Sequence, residues 1–140
     1  MNIRKLLCGL GLAASLSGCG LPWAPENGEP TAIINLRSTG SVLFCMDDKR
    51  YLVVAGAGIE NRPFPVGRKL NFVVTKTVGS DYNYTYSCSG RFAAEKLEAG
   101  KKYYLAYELV QQGCRLELYE QTEDSPVGLR PIKSVPRSDC

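Results

Sequence analysis

Most of this 140-residue chain consists of short segments that are either apolar or alternate between apolar and polar residues, and these segments limit its fold more than any other feature. Side chains of a β-strand point alternately to its two faces, so period-two alternation is typical of strands with one buried face. From Tyr82 to Cys88 the alternation is unbroken, because three tyrosines and a cysteine each follow a polar residue. Turn residues separate seven such segments, which begin at Ala32, Val42, Tyr51, Leu70, Tyr82, Tyr103 and Cys114. About seven short strands predict an all-β fold, a sandwich or a barrel.

A seven-residue motif favours the sandwich. The spacing Leu97-x-x-Gly100-x-x-Tyr103 resembles the tyrosine corner of Greek-key sandwiches, in which a tyrosine hydroxyl before a strand bonds to upstream backbone. A chain of this length fits one domain of ordinary size. We therefore predict one immunoglobulin-like or transthyretin-like β-sandwich domain over residues 31–140.

The N-terminal residues have the pattern of an export signal. A basic stretch, Met1–Lys5, precedes an apolar run of eleven residues, Leu6–Leu16. Such a run spans about half of the ~30 Å hydrocarbon core of a bilayer, which is too short for a transmembrane helix. Small residues follow it, as a signal peptidase requires.

The string Leu16-Ser17-Gly18-Cys19 resembles the bacterial lipobox, Leu-x-Gly-Cys, in every position. The resemblance implies that residues 1–18 are a lipoprotein signal peptide and that Cys19 is acylated, which anchors the protein in a membrane. By resemblance to enterobacterial lipoproteins, in which an aspartate after the cysteine favours retention in the inner membrane, Gly20 implies the outer membrane, with the domain facing the periplasm. An ordinary secretory signal that happens to contain a cysteine is the alternative.

Residues 19–30 are predicted to be the lipidated cysteine and a tether. The stretch from Gly20 to Pro30 holds three prolines and two glycines and has no periodicity. An extended chain of this length reaches about 30–35 Å from the membrane. Two positions are open for Trp23: the level of the lipid headgroups, where tryptophan is favoured, or a place packed on the domain.

Besides Cys19, the exported chain contains four cysteines, namely Cys45, Cys88, Cys114 and Cys140. An even number in the oxidising periplasm predicts two disulfides, for which three pairings exist. We favour Cys45–Cys88 and Cys114–Cys140, because the second bond would hold down the C-terminal tail. A zinc site of four thiolates is the alternative, but no C-x2-C spacing is present, so we expect no metal.

Nothing in the sequence predicts catalysis. The chain contains no histidine, which removes Ser-His-Asp and Cys-His catalysis and the usual proton carrier near pH 7. Its 17 basic and 14 acidic residues form no basic stripe of the kind that nucleic-acid binders show. We expect a protein that is no enzyme, needs no cofactor and binds no nucleic acid.

The longest segment without periodicity, Gly56 to Arg68, is the predicted partner-binding loop. Its prolines limit the backbone freedom lost on docking, and Phe64 lies between two of them. An aromatic residue and an arginine with polar neighbours are typical of protein interfaces. The predicted contact residues are Glu60, Asn61, Arg62 and Phe64. The alternative is a solvated hairpin with Phe64 folded under it.

The tyrosines at 82, 84 and 86 have two interpretations. They could form a ligand-binding stripe, but alternating aromatic residues on a strand are more often core residues or cross-strand pairs. We favour the second interpretation.

Several blocks of the chain resemble a family of Gram-negative bacteria, the type VI secretion immunity periplasmic lipoproteins. The shared pattern is a lipobox, then Gly28-Glu29-Pro30-Thr31, a strand with Phe44-Cys45, the segment from Tyr82 to Cys88, and a block from Leu97 to Leu109. The resemblance implies a small β-sandwich lipoprotein without enzymatic activity that binds and blocks a protein toxin delivered into the periplasm, such as a phospholipase or a peptidoglycan hydrolase. It supplies no residues for the toxin contact.

Two other functions are compatible with the same sequence. One is a structural or accessory lipoprotein of an envelope or secretion complex. The other is an inhibitor of lysozyme-type enzymes.

Overall fold

Ten β-strands form the regular structure of the described chain, in which no helix occurs. The structure, a computed structural model, describes residues 20–56, 58–111, 113–124 and 126–137. The strands are β1 (Leu21–Pro22), β2 (Thr31–Asn35), β3 (Val42–Met46), β4 (Lys49–Val53), β5 (Asn61–Pro65), β6 (Leu70–Asp81), β7 (Tyr84–Ala94), β8 (Lys102–Val110), β9 (Gly113–Gln121) and β10 (Leu129–Pro131). In this part of the chain no helix has the length and apolarity needed to cross a bilayer. The signal peptide, Cys19 and Cys140 lie outside the described residues.

The strands form two mixed sheets of five. Sheet A has the order β1-β4-β3-β6-β7 and sheet B the order β10-β9-β8-β2-β5. Neighbours are antiparallel except for β1 with β4 and β2 with β8, which are parallel. The all-β prediction is confirmed, with ten strands where about seven were expected. The three that the pattern missed, β1, β5 and β10, are sheet edges that contain proline, which is typical of edge strands and obscures the alternation.

Phe64 is part of the core between the sheets, so the prediction that it lies exposed in a loop is wrong. It is fully buried, and its ring centroid lies 5.5 Å from that of Phe44 and 5.8 Å from that of Phe72. The reason is that residues 61–65 pair with β2, with Ala32 opposite Phe64, which turns the ring inward. The other large, fully buried side chains are Ile34, Leu36, Val42, Leu70, Val74, Leu97, Leu105 and Leu118.

Part of the predicted tether lies on sheet A. Leu21 and Pro22 pair with Tyr51 and Leu52 of β4. Trp23 packs on the domain, which decides between its two open positions, and its ring centroid is 6.5 Å from that of Phe64. Residues 24–30 contain no strand.

The motif around Tyr103 adopts the predicted tyrosine corner. The backbone N–H of Glu98 donates to the Tyr103 hydroxyl oxygen at 3.1 Å, five residues upstream of it. Gly100 has φ +76°, a left-handed conformation that favours glycine, and Leu97 is buried beneath the turn. The prediction from the sequence spacing is confirmed at this site.

The two sheets approach each other closely where β7 lies against β9. A Cβ at Gly90 would lie 3.0 Å from the Cβ of Leu116 and 3.3 Å from its backbone nitrogen, so a larger residue would push the strands apart. Near this contact a disulfide joins Cys88 of β7 to Cys114 of β9, with their Cα atoms 5.9 Å apart.

The favoured pairing of Cys45 with Cys88 and of Cys114 with Cys140 is therefore wrong. Cys45 is disulfide-bonded as well, but not to Cys88. Four cysteines in a sequence carry no information on which strands face each other, and the facing of β7 and β9 decides the pairing.

Removing the Cys88–Cys114 bond is expected to lower the free energy of unfolding. The double variant Cys88→Ala/Cys114→Ala should lose about 2–4 kcal/mol in urea denaturation, because the bond constrains the unfolded chain. The control Ser87→Ala, an exposed neighbour, should change by less than about 0.5 kcal/mol. Peptide mapping without reduction that joined Cys88 to Cys45 would contradict the pairing.

Glu120 of β9 forms ion pairs with Lys101, just before β8, and with Arg130 of β10. It is only 8% exposed, and its carboxylate lies 2.5 Å from the guanidinium of Arg130 and 2.9 Å from the amine of Lys101. Lys101 also lies 2.9 Å from the carboxylate of Glu98. The hydrogen bond from Arg130, and next that from Lys101, holds the pKa of Glu120 below its ordinary value of 4.5.

This lowered pKa predicts a loss of stability in acid. A carboxylate with a lowered pKa in the folded state stabilises the fold above its unfolded pKa, and this contribution disappears as the pH falls through the folded pKa. Glu120→Gln should therefore lower the free energy of unfolding by about 1–3 kcal/mol near pH 7. The difference from the unsubstituted protein should shrink as the pH falls below 4.5. Urea denaturation at pH 7 and pH 3 that gave the same difference would contradict it.

Candidate functional site

The hairpin of β6 and β7 extends beyond the rest of sheet A. β3 pairs with β6 only over Asn71–Val73, and from there β6 and β7 continue as a two-stranded ribbon to Asp81 and Tyr84. All residues from 77 to 87 are exposed. We call residues 77–87 the tyrosine arm.

Three tyrosines dominate the surface of this arm. Tyr82 at the tip is 99% exposed, Tyr84 68% and Tyr86 56%. The favoured interpretation is wrong where it makes them core residues, and the residues opposite Tyr84 and Tyr86 on β6 are Asp81 and Gly79. Side chains two residues apart on a strand lie on the same face, so Tyr84 and Tyr86 share with Cys88 the face of β7 that points toward sheet B. Cys88 is bonded to Cys114, the second residue of β9, so sheet B ends at this level and leaves the tyrosines uncovered.

Contacts at the base hold the arm on the sandwich. The Tyr107 hydroxyl on β8 donates to the backbone oxygen of Cys88 at 3.0 Å and lies 3.0 Å from the Sγ of Cys114. The amine of Lys76 lies 5.0 Å from the centre of the Tyr107 ring and donates to the backbone oxygen of Ser38. The Ser38 hydroxyl oxygen in turn accepts the backbone N–H of Tyr107 at 2.9 Å. The disulfide and these hydrogen bonds restrict the arm at its root.

The chemistry of the arm is that of a protein interface. Among residues 77–87 only Asp81 is of a charged residue type, and its side chain accepts the backbone N–H of Tyr82 at 2.7 Å in the tip turn. Interface centres are poor in charge and rich in tyrosine, since tyrosine combines a large apolar ring with a hydrogen-bonding hydroxyl. Leu109 and Val110, 63% and 42% exposed at the end of β8, extend the apolar surface beside the base.

The predicted loop residues are spread over different environments. Glu60 is exposed, with its carboxylate 4.0 Å from Arg37. Asn61 is exposed and accepts a hydrogen bond from the side chain of Asn35 at 3.1 Å. Arg62 is half-buried, and Phe64 belongs to the core.

These residues also lie far from the arm. They lie on or just before β5, which is an edge strand of sheet B. The arm begins at the opposite side of that sheet, where Cys88 is bonded to Cys114 of β9, and β8 and β2 lie between β9 and β5. A role for Glu60, Asn61 and Arg62 in binding stays a prediction.

A signal for the exposed arm was present in the sequence. Opposite the tyrosines, β6 carries Thr77, Val78, Gly79, Ser80 and Asp81. Of these five only Val78 is a large apolar residue, and it lies at the irregularity between Thr77 and Gly79. A hairpin with small and polar residues along one strand has no apolar face to bury, so its aromatic residues remain in solvent.

Comparison of the chain with family models, with curated proteins and with solved structures found no match. The resemblance to immunity lipoproteins accordingly stays a prediction from the blocks quoted above. Within the described residues no group of three or more histidine, cysteine, aspartate or glutamate side chains is arranged to hold a metal ion. The expectation that the protein is no enzyme likewise stays a prediction.

Proposed function

We propose that this protein is a lipid-anchored periplasmic immunity protein, which binds and blocks a toxin delivered by type VI secretion. The observation that carries the proposal is the tyrosine arm, in which Tyr82, Tyr84 and Tyr86 are exposed on a ribbon held at its root by a disulfide. Large exposed aromatic residues on an ordered support are typical of the anchor residues of protein interfaces.

A projecting hairpin suits inhibition by occlusion. Enzyme active sites are concave, and a narrow ribbon enters a cleft that a flat surface cannot. Phospholipases and peptidoglycan hydrolases have such clefts and are the toxin activities that we propose. A standard interface of about 1,600 Å² engages 20–30 residues on each side, more than the arm provides. The contact must therefore extend onto the neighbouring surface of the sandwich, and Leu109 and Val110 are the first residues there that we include.

The remaining parts of the proposal rest on the sequence and on local geometry. The lipobox ending at Cys19 supports a lipid anchor, and Gly20 after it supports the outer membrane. The tyrosine corner and the disulfide between the sheets support the immunoglobulin-like or transthyretin-like class that we propose for the sandwich.

The experiment is a stoichiometric inhibition assay. The product of the neighbouring gene is purified as the candidate toxin, and its hydrolytic activity is measured while the mature protein is titrated in. Occlusion predicts that activity falls to background near one equivalent, because an inhibitor without catalytic groups acts once per complex. A lysozyme assayed in parallel separates this function from inhibition of host enzymes. Full toxin activity with several equivalents of folded protein would reject the proposal.

A further inference from the structure

Gly20 is fixed on the edge of sheet A. A Cβ at this position would lie 2.8 Å from the carbonyl carbon of Tyr51 and 2.9 Å from the Cδ2 of Leu43, so no other residue fits without displacement. Three residues later, the backbone N–H of Trp23 donates to the oxygen of Leu52 at 3.1 Å. The chain is therefore held on the domain from its first described residue.

The strand directions place this attachment and the arm tip at opposite ends of sheet A. β1 is parallel to β4, and β4 and β6 are both antiparallel to β3, so β1, β4 and β6 run the same way. The register joins Leu21 to Tyr51, Tyr51 to Phe44 and Phe44 to Phe72. β6 then continues to Asp81 at the tip, about 30 Å farther along the strand direction at ~3.4 Å per residue.

We propose that the domain stands directly on the bilayer, with the tyrosine arm pointing away from it. Cys19 precedes Gly20, so an acyl group on Cys19 leaves no spacer between the membrane and the sheet, in place of the 30–35 Å tether expected from composition. The exposed Lys49 and Arg50 lie at the start of β4, beside this attachment, where they can contact anionic phospholipid headgroups.

The consequence is a fixed height for the binding surface. The inference rests on the lipidation in the proposed function, and it adds the distance from the membrane at which the tyrosine arm is held. A partner that diffuses in the periplasm meets the arm about 30 Å above the attachment, as the length of β6 sets it. A partner embedded at the headgroup level does not reach the tyrosines.

Energy transfer to the membrane tests this orientation. The acylated protein is reconstituted in vesicles of phosphatidylethanolamine and phosphatidylglycerol that carry a headgroup-labelled acceptor lipid. A donor dye is attached without reductant to Lys49→Cys or to Asn83→Cys, with the unsubstituted protein as the labelling blank. We expect several-fold stronger transfer from position 49 than from position 83. Equal transfer from both, or a protein without the acyl mass, would overturn the inference.

A second variant tests the attachment itself. Gly20→Val should detach β1 and release a flexible tether, so that transfer from the two positions converges and the emission of Trp23 shifts to longer wavelength. Ala24→Val, at an exposed residue, is the matched control and should keep the difference. An unchanged difference in Gly20→Val would overturn the inference. Toxin inhibition measured in detergent, without a bilayer, separates failure of the orientation from failure of the proposed function.

Discussion

Phe64→Ala is expected to lower the free energy of unfolding by about 3–5 kcal/mol, the usual loss for a large aromatic residue removed from a core. The ring is fully buried and contacts Phe44, Phe72 and Trp23, so its removal leaves a cavity that the sheets cannot close without shifting. Urea denaturation measures this loss of unfolding free energy, with the fluorescence of Trp23 as the signal, because Trp23 packs near Phe64 and is the single tryptophan of the chain.

The matched control is Tyr84→Ala, which removes an aromatic ring of similar size from the arm. Its side chain is 68% exposed, so the free energy of unfolding should change by less than about 1 kcal/mol. Near-normal stability of Phe64→Ala together with a loss of toxin inhibition would contradict the structure and restore the exposed loop predicted from the sequence.

The double variant Tyr84→Ala/Tyr86→Ala is expected to weaken toxin inhibition by about 100-fold or more, while the fold stays intact. A hundredfold loss corresponds to about 2.7 kcal/mol, which is in the range measured for central aromatic residues of interfaces. The inhibition constant, determined at several toxin concentrations, gives the loss. Circular dichroism and urea denaturation show whether the variant is folded.

Two controls locate the contact. Ile59→Ala removes an exposed apolar side chain of the β4–β5 connection and should leave inhibition unchanged within a few-fold. Glu60→Ala/Asn61→Ala tests the predicted loop. Loss of inhibition in that variant, with normal inhibition by the tyrosine variant, would move the contact to the loop and reject the arm.

Alternation alone predicted the long strands, because a strand that buries one face has an apolar residue at every second position. Phe72 and Val74 of β6, and Leu105 and Tyr107 of β8, carry this signal. In β5 the signal is masked, since Pro63 and Pro65 occupy positions where an edge strand tolerates proline but an inner strand does not. The same prolines led to the prediction of a loop at Phe64.

The candidate site was missed for a different reason. A period-two pattern shows that Tyr84, Tyr86 and Cys88 share a face, but it carries no information on where the opposing sheet ends. The end of sheet B depends on β9 beginning at Gly113 and on the contact of β7 with β9 at their disulfide, which are long-range features. The pairing of the cysteines depends on the same contact.

The contact between the tyrosine arm and the toxin is the central claim, and oxidative footprinting of the one-to-one complex tests it most directly. In the free protein Tyr82 is 99% exposed and should be the most rapidly modified tyrosine, followed by Tyr84 and Tyr86. The account predicts that toxin binding slows modification of these three several-fold, while Tyr104, half-buried on β8, keeps its rate. Unchanged rates at all three tyrosines in a complex that still inhibits the toxin would contradict the account.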